Sequence, residues 1–370
     1  MNRELKALTG VRGVAATMVM FYHFFENDSY FGSFEPWLLR HGYLGVDLFF
    51  ILSGFVMSLS YAKTFQTAIS FADIRLFLIK RFARIYPLYI FITMMFVLKQ
   101  SYNFSGAAHA PFGVGDFVAC VLMIQAWGVG VASPAGASWS LSTEVFAYLV
   151  FPFVAHCVVF RRGHFAWALA GICGAAILMV AMSGQGVSGQ LDVVQPDSIL
   201  PLVRSLAGFG LGMVAYWCVR QDIARRLLGA SFVLVGLIAA FVLASVERAP
   251  DLAMFVLLPL LVCTLYFESA AARAVFANKV SYHLGLVSYS MYLVHPLFVP
   301  IKIRLQAMLE PDLGGSSHGI ALLFVVVMSW GLSVGLYTFI EKPGRSLCQA
   351  ALLRRKVPTT MHGEPMARHP

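Results

Sequence analysis

Apolar runs of about 17 residues or more recur along this chain from end to end, and a water-soluble domain has no means of burying so many. In lipid every backbone polar group must be bonded within the protein, which leaves only helices and closed barrels as spanning structures. Runs of this length match α-helices crossing a hydrocarbon core about 30 Å thick. The sequence therefore predicts an all-α fold, a polytopic membrane helical bundle with ten transmembrane helices. These fall near 8–25, 43–61, 83–99, 142–160, 165–182, 199–218, 228–245, 252–267, 283–301 and 319–340. A shorter apolar stretch at 114–128 is expected to be a re-entrant or interfacial segment. With 59% hydrophobic and only 12% charged residues, the chain lies far from the composition of soluble domains.

The charges set the orientation. Arg3 and Lys6 precede the first run, and Lys63, Arg75, Lys80, Arg81 and Arg84 follow the second, so both regions are expected in the cytoplasm by the positive-inside rule. Glu26, Asp28 and Glu35 against Arg40 suit the outer side. If 114–128 does not cross, Arg161, Arg162, Arg220, Arg225, Arg226, Arg273, Lys279, Lys342, Arg345, Arg354, Arg355 and Lys356 all fall inside. The loops near 183–198 and 246–251 hold almost no Lys or Arg. Both termini are thus expected in the cytoplasm, with a transmembrane domain over 1–345 and a basic, partly disordered tail over 346–370. The net charge of +9 reads as a topology signal rather than a nucleic-acid footprint. Six scattered cysteines without a CxxC indicate neither a disulfide framework nor a zinc site. The first run has the basic start of a signal peptide, but no small-x-small cleavage site follows Phe25, so it is read as a retained span.

That first span carries Arg12 and, eleven residues later, His23. Eleven helical residues turn through about 1100°, roughly 20° past three full turns, and rise about 16 Å. The two residues share one face near opposite ends of the span. A mid-helix arginine costs at least ~2.5 kcal/mol on insertion scales, so Arg12 faces the protein interior or a wet cavity. Alternatively it snorkels to the cytoplasmic end while His23 anchors at the opposite interface, a reading the shared face weakens. Other polar groups gather at the same two levels. Asp47, in Gly45-Val-Asp-Leu-Phe-Phe50, opens the second span at the depth of His23 and could hold its imidazole, or simply favour a helix start. Glu144, in Trp139-Ser-Leu-Ser-Thr-Glu144, lies about one turn into its helix, where a buried carboxylate could share acid–base work. Ser140 or Ser142 could cap that helix. Below, Arg81 and Arg84 stand three residues apart on one helix face, with Lys80 adjacent, and form a candidate phosphate clamp or plain positive-inside flanking. Ser288-Tyr-Ser-Met-Tyr-Leu-Val-His295 lies in the ninth span with His295 approaching the outer half, where His295 could be catalytic or a hydrogen-bonded packing residue. Ser53-Gly54 reads as a close helix contact ahead of a direct ligand contact.

These motifs, taken in order over about 5–343, resemble those of the acyltransferase 3 family of bacterial inner-membrane acyltransferases. Leu8-Thr-Gly-Val-Arg-Gly-Val-Ala-Ala16 with the Arg12/His23 spacing, Gly45-Val-Asp-Leu-Phe-Phe-Ile-Leu-Ser-Gly-Phe55, Arg81-x2-Arg84 with Tyr86-Pro87, Trp139 to Glu144, and Ser288 to His295 carry the likeness. The resemblance implies a ten-span bundle that moves an acyl group, usually acetyl, from cytoplasmic acyl-CoA to a hydroxyl of an extracytoplasmic glycan or lipid-linked glycan. The longer family members add a hydrolase-like domain, which this sequence is not expected to have. No bound cofactor or metal is expected, and acetyl-CoA is the expected donor. In this reading Arg81, Arg84 and Lys80 take the phosphorylated end of acyl-CoA, and its arm rises past Arg12. His23 acts as general base with help from Asp47 or Glu144. Trp139, Ser142, Tyr289 and His295 line the site. A transporter or flippase for an anionic or acylated substrate would use the same charges as a path, without releasing CoA thiol.

Overall fold

The computed structural model describes residues 5–25, 37–61, 63–65, 69–101, 112–158 and 163–353. Arg3, Glu26, Asp28, Glu35, Arg161, Arg162, Arg354, Arg355 and Lys356, and the tail from 354 onward, lie outside the described residues. Among the described residues all regular structure is helical. The order is α1 (Lys6–Phe25), α2 (Trp37–Arg40), α3 (Leu44–Tyr61), α4 (Phe71–Ser101), α5 (Val114–Val121), α6 (Trp139–Val158), α7 (His164–Met182) and α8 (Leu200–Val219). It continues with α9 (Asp222–Leu228), α10 (Ser231–Val246), α11 (Asp251–Tyr266), α12 (Ala270–Phe276), α13 (Lys279–Val294), α14 (Val299–Leu313), α15 (Ser316–Leu336) and α16 (Lys342–Leu353).

Each of the ten expected spans coincides with a helix, but the count of ten is not reached on length and apolarity. Among the described residues six helices are long and apolar enough to cross a membrane, and three bent pairs raise the number to nine. The pairs are α9 with α10 at 66°, α11 with α12 at 106°, and α13 with α14 at 52°. The α1 helix, which carries Lys6, Arg12 and His23, is not among them. The protein is a polytopic membrane bundle.

Several boundaries differ from the sequence reading for local reasons. Helix α4 begins at Phe71 rather than near 83, because Ser70 accepts from the Asp73 N–H at 3.1 Å and starts the helix a dozen residues early. Arg75 and Lys80 therefore ride on α4 rather than in a loop. The expected span at 283–301 breaks after Val294, where Pro296 brings no N–H and a 3-10 turn at His295–Leu297 redirects the chain. The stretch at 114–128 is the eight-residue α5 followed by turns, with Gly128 at φ +78° and Gly130 at φ +75°. It is held against the bundle by Tyr89, whose hydroxyl donates to Cys120 O at 2.6 Å, and by Trp127, whose Nε1 donates to Ser142 O at 3.0 Å.

Helices α1, α3, α8 and α13 form the centre. Glycine sets how closely they meet. A Cβ at Gly54 on α3 would collide with Phe209 O on α8, and one at Gly285 on α13 would collide with Thr9 O on α1. Without a hydrophobic force between helices in lipid, such close backbone contact supplies the packing. The same approach draws the polar side chains of α1 and α3 into the interior.

Candidate active site

His23 lies near the end of α1 and His295 at the break after α13, and they meet with His295 Nε2 3.3 Å from His23 Nδ1. His23 Nδ1 is also 2.9 Å from Val19 O, and His295 Nδ1 is 3.2 Å from Met291 O. A carbonyl oxygen can only accept, so each Nδ1 carries its ring proton. His295 Nε2 is then an acceptor that shares the His23 Nδ1 proton. This leaves His23 Nε2 as an unprotonated nitrogen able to take a proton. His23 lines a cavity of about 340 Å³ together with Tyr22, Gln125, Trp139, Asp192, Arg204 and Tyr292.

A larger cavity of about 750 Å³ lies on the other side of Val46 and Tyr292, which line both. Its lining runs from Leu5, Lys63, Arg81 and Arg84 past Arg12, Ser53, Glu144 and Tyr289 to Tyr292. Arg12 and His23 thus face two successive cavities from one helix. Arg81 is 9% exposed, with its guanidinium 5.0 Å from the Tyr61 ring centre, and its buried Nε has no hydrogen-bond partner among the described residues. A buried donor left in this state is a natural place for an anion. The charges of Arg84, Glu341 and Glu144 act on Arg12. Glu341 closes a π-helical turn at Tyr337–Glu341 and accepts from Ser290 Oγ at 2.7 Å. Tyr289 lines this cavity and donates its hydroxyl to Ile85 O at 2.5 Å.

Five of the residues selected from sequence sit differently from the expectation. Asp47 does not hold His23. It is fully buried and accepts from Arg204 Nε at 2.8 Å and Nη2 at 2.6 Å, because α3 packs face to face on α8 and brings the two charges together. Glu144 lines the larger cavity, not that of His23, and accepts from Ser53 Oγ at 2.5 Å. Ser142 lines neither of the two cavities: its Oγ accepts from Ala126 N at 3.1 Å and fixes the turns after α5. Nor does Ser142 or Ser140 cap α6, since Ser140 Oγ donates to Ala137 O at 3.1 Å and pairs with Tyr292 OH at 2.8 Å. Lys80 is exposed and lines neither cavity, since successive residues of a helix point about 100° apart and Arg81 faces inward; Lys63 lines the larger cavity instead. Trp139 keeps its expected place, lining the smaller cavity with its ring 5.7 Å from the Arg204 guanidinium carbon.

Arg204, Tyr292 and Lys302 escaped selection. Arg204 and Lys302 interrupt apolar or helical runs as Arg12 does, and that cost was the available signal. Lys302, 3% exposed, donates to Phe24 O at 2.6 Å and ties α14 to the end of α1 beside His23. Loop residues close the same end. Asp251 accepts from Tyr43 OH at 2.5 Å and Leu191 N at 2.8 Å, and His41 Nδ1 lies 3.1 Å from it. Burial and the Asp251 carboxylate push the Tyr43 hydroxyl well above the ordinary phenol range, so it remains a donor. Tyr22 OH donates to Ser188 Oγ at 2.6 Å and lies 3.0 Å from Asp192 Oδ2. Among the described residues no group of three His, Cys, Asp or Glu could hold a metal ion.

Comparison with known proteins gives this geometry its context. The family profile described as an acyltransferase domain, that of acyltransferase 3, matches residues 5–338. A protein named acyltransferase MdmB from Streptomyces mycarofaciens is 27% identical, over 95% of this chain and 94% of its own length. Staphylococcus aureus proteins carrying a provisional O-acetyltransferase name are 20% identical over 79% of this chain, which spans 50% of their length. The protein named protein 2 in picA locus of Rhizobium radiobacter is 42% identical over 83 residues, 22% of this chain and 39% of its own. No solved structure gives a significant match. A match over almost every helix described above makes the chain a member of the acyltransferase 3 family, a membrane enzyme that transfers acyl groups other than aminoacyl groups.

Proposed function

We propose that this protein moves an acyl group, acetyl in the simplest case, from acyl-CoA on the cytoplasmic face to a hydroxyl of a glycan or glycolipid on the opposite face of a bacterial inner membrane. The observation that carries this reading is the pair of cavities stacked end to end, guanidiniums at one end and a basic imidazole at the other, sharing Val46 and Tyr292. Volumes of about 750 and 340 Å³ fall in the ordinary range for small-molecule sites, roughly 300–1,000 Å³. The O-acetyltransferase names of the Staphylococcus aureus relatives support oxygen as the accepting atom.

In this mechanism the CoA diphosphate rests on Arg81 and Arg84, with Lys63 nearby, because Arg offers planar, paired donors to phosphate oxygens. The pantetheine arm lies along Arg12, Glu144 and Tyr289 and brings the thioester to the neck at Tyr292. The acceptor enters the smaller cavity. His23 Nε2 takes the hydroxyl proton as the oxygen attacks the thioester carbonyl. The tetrahedral intermediate collapses, the carbon–sulfur bond breaks, and the leaving thiolate recovers the proton from His23. His295 touches neither substrate. It holds the His23 ring through the shared Nδ1 proton and receives part of the charge when the imidazolium forms. Asp47 keeps Arg204 in place at the cavity wall and takes no proton.

Release of CoA thiol by the purified protein in nanodiscs, with candidate glycans supplied, tests the reading. His23→Ala lowers kcat by about 10²–10⁴-fold, the usual contribution of a general base. Arg84→Ala raises the acyl-CoA KM by about tenfold, one charge-assisted contact. Thiol release by His23→Ala at the wild-type rate contradicts the mechanism. Binding of acyl-CoA with no thiol release under any condition returns the transporter reading.

A further inference from the structure

A third cavity, of about 530 Å³, opens beside the guanidinium end of the larger one and shares Leu5 and Tyr266 with it. Three arginines line it from two corners of the chain: Arg220 and Arg225 where α8 turns into α9, and Arg273 on α12. The 106° bend between α11 and α12, with Glu268 at φ +47°, brings Arg273 round to this side, and its Nη1 donates to Glu268 O at 2.5 Å. Tyr266 and Phe267 add two half-buried rings, 5.4 Å apart, and Gln221, Asp222 and Glu268 supply polar acceptors. Arg220 lies over Tyr216, which lines the larger cavity, so the two spaces have a common wall. None of these residues belongs to the sequence motifs that carry the family likeness, and the acyl-transfer mechanism leaves them unused.

Guanidiniums for a phosphate, flat rings for a base, and acceptors for an exocyclic amine are what a phosphorylated nucleoside requires. Acyl-CoA carries phosphate in two places, a diphosphate next to the pantetheine arm and a monoester on the adenosine 3′-oxygen. An arm drawn up the larger cavity sets the diphosphate at Arg81 and Arg84. The adenosine then lies outside that cavity and needs a seat of its own.

We propose that the third cavity is the seat of the donor's adenosine 3′-phosphate, with Arg220, Arg225 and Arg273 around the phosphate and Tyr266 and Phe267 against the adenine. This rests on the acyl-CoA reading of the larger cavity. The site discriminates CoA from carriers that bear the same thioester arm without a nucleotide.

The experiment compares acetyl-CoA with 3′-dephospho-acetyl-CoA as donors for the nanodisc-embedded enzyme. Removing the 3′-phosphate raises the wild-type KM by about tenfold, the value of one or two charge-assisted contacts. Arg225→Gln and Arg220→Gln raise the KM for acetyl-CoA toward that level and leave the KM for the dephospho donor at its wild-type value. Arg226→Gln, exposed and outside the cavity lining, serves as the charge control and shifts neither. Equal KM for both donors in wild type, or variants that shift both donors alike, overturns the subsite while leaving acyl transfer from CoA intact. A wild type that makes thiol from neither donor overturns the acyl-CoA reading and the subsite together. The assays are repeated in zwitterionic and in anionic lipid. An effect of Arg225→Gln that follows the lipid and not the donor assigns the cluster to lipid headgroups and also overturns the proposal.

Discussion

His23 and His295 stand 272 positions apart in the chain and meet ring nitrogen to ring nitrogen at 3.3 Å. Their i−4 carbonyls decide which nitrogen is basic, so the tautomer follows from helix geometry and not from a carboxylate partner. A neutral acceptor steadies an imidazolium less than Asp or Glu would, yet burying a further charge beside Asp47, Asp192 and Asp251 would cost several kcal/mol if unpaired. The account predicts that His295→Leu lowers kcat by about 10–100-fold, one lost hydrogen bond in a buried site. KM for acyl-CoA stays constant, and His295→Asn, which keeps an acceptor, recovers part of the rate. Equal losses in the Leu and Asn variants, measured as kcat and KM, identify a packing role instead. At this scale the sequence is readable wherever one residue bears a cost by itself: Arg12, His23 and Arg84 stand out because charge in an apolar run needs a reason. Pairings are not readable. Asp47 could be assigned to His23 from depth alone because its true partner, Arg204, lies 157 positions away.

Helices α3 and α8 are joined by that ion pair and by the close contact at Gly54 and Gly212. Removing one member of a buried pair leaves an uncompensated charge and costs about 3–5 kcal/mol, whereas replacing both by apolar residues is often neutral. Asp47→Ala therefore lowers the Tm in detergent markedly, and Asp47→Ala with Arg204→Met restores much of it. A Tm for Asp47→Ala equal to that of wild type shows that the pair does not hold the helices. All ten expected spans appear as helices because an apolar run of this length has few alternatives in lipid. Their ends were less readable. Ser70 starts α4 early, and Pro296 divides the ninth span so that His295 sits at a turn, where its ring can reach α1. Topology from loop charge concerned the side of the membrane and said nothing of such breaks.

Across the whole molecule the organising feature is a pair of cavities, one lined by Arg12, Arg81 and Arg84 and the other by His23, with Val46 and Tyr292 lining both. The sequence shows the two polar levels through the Arg12/His23 spacing. The cavities between them depend on how α1, α3, α6 and α13 pack and have no local signature. In the proposed reaction, such an arrangement would let the donor stay on one side while the product appears on the other, without moving CoA through the membrane. The measurement that tests this most directly uses proteoliposomes with the protein in one orientation, labelled acetyl-CoA on one face only, and a membrane-impermeant glycan acceptor on the other. The account predicts labelled glycan when acetyl-CoA is on the Arg81/Arg84 face, no labelled glycan when the two are exchanged, and none from His23→Ala in either arrangement. Labelling only when donor and acceptor share a face would contradict it.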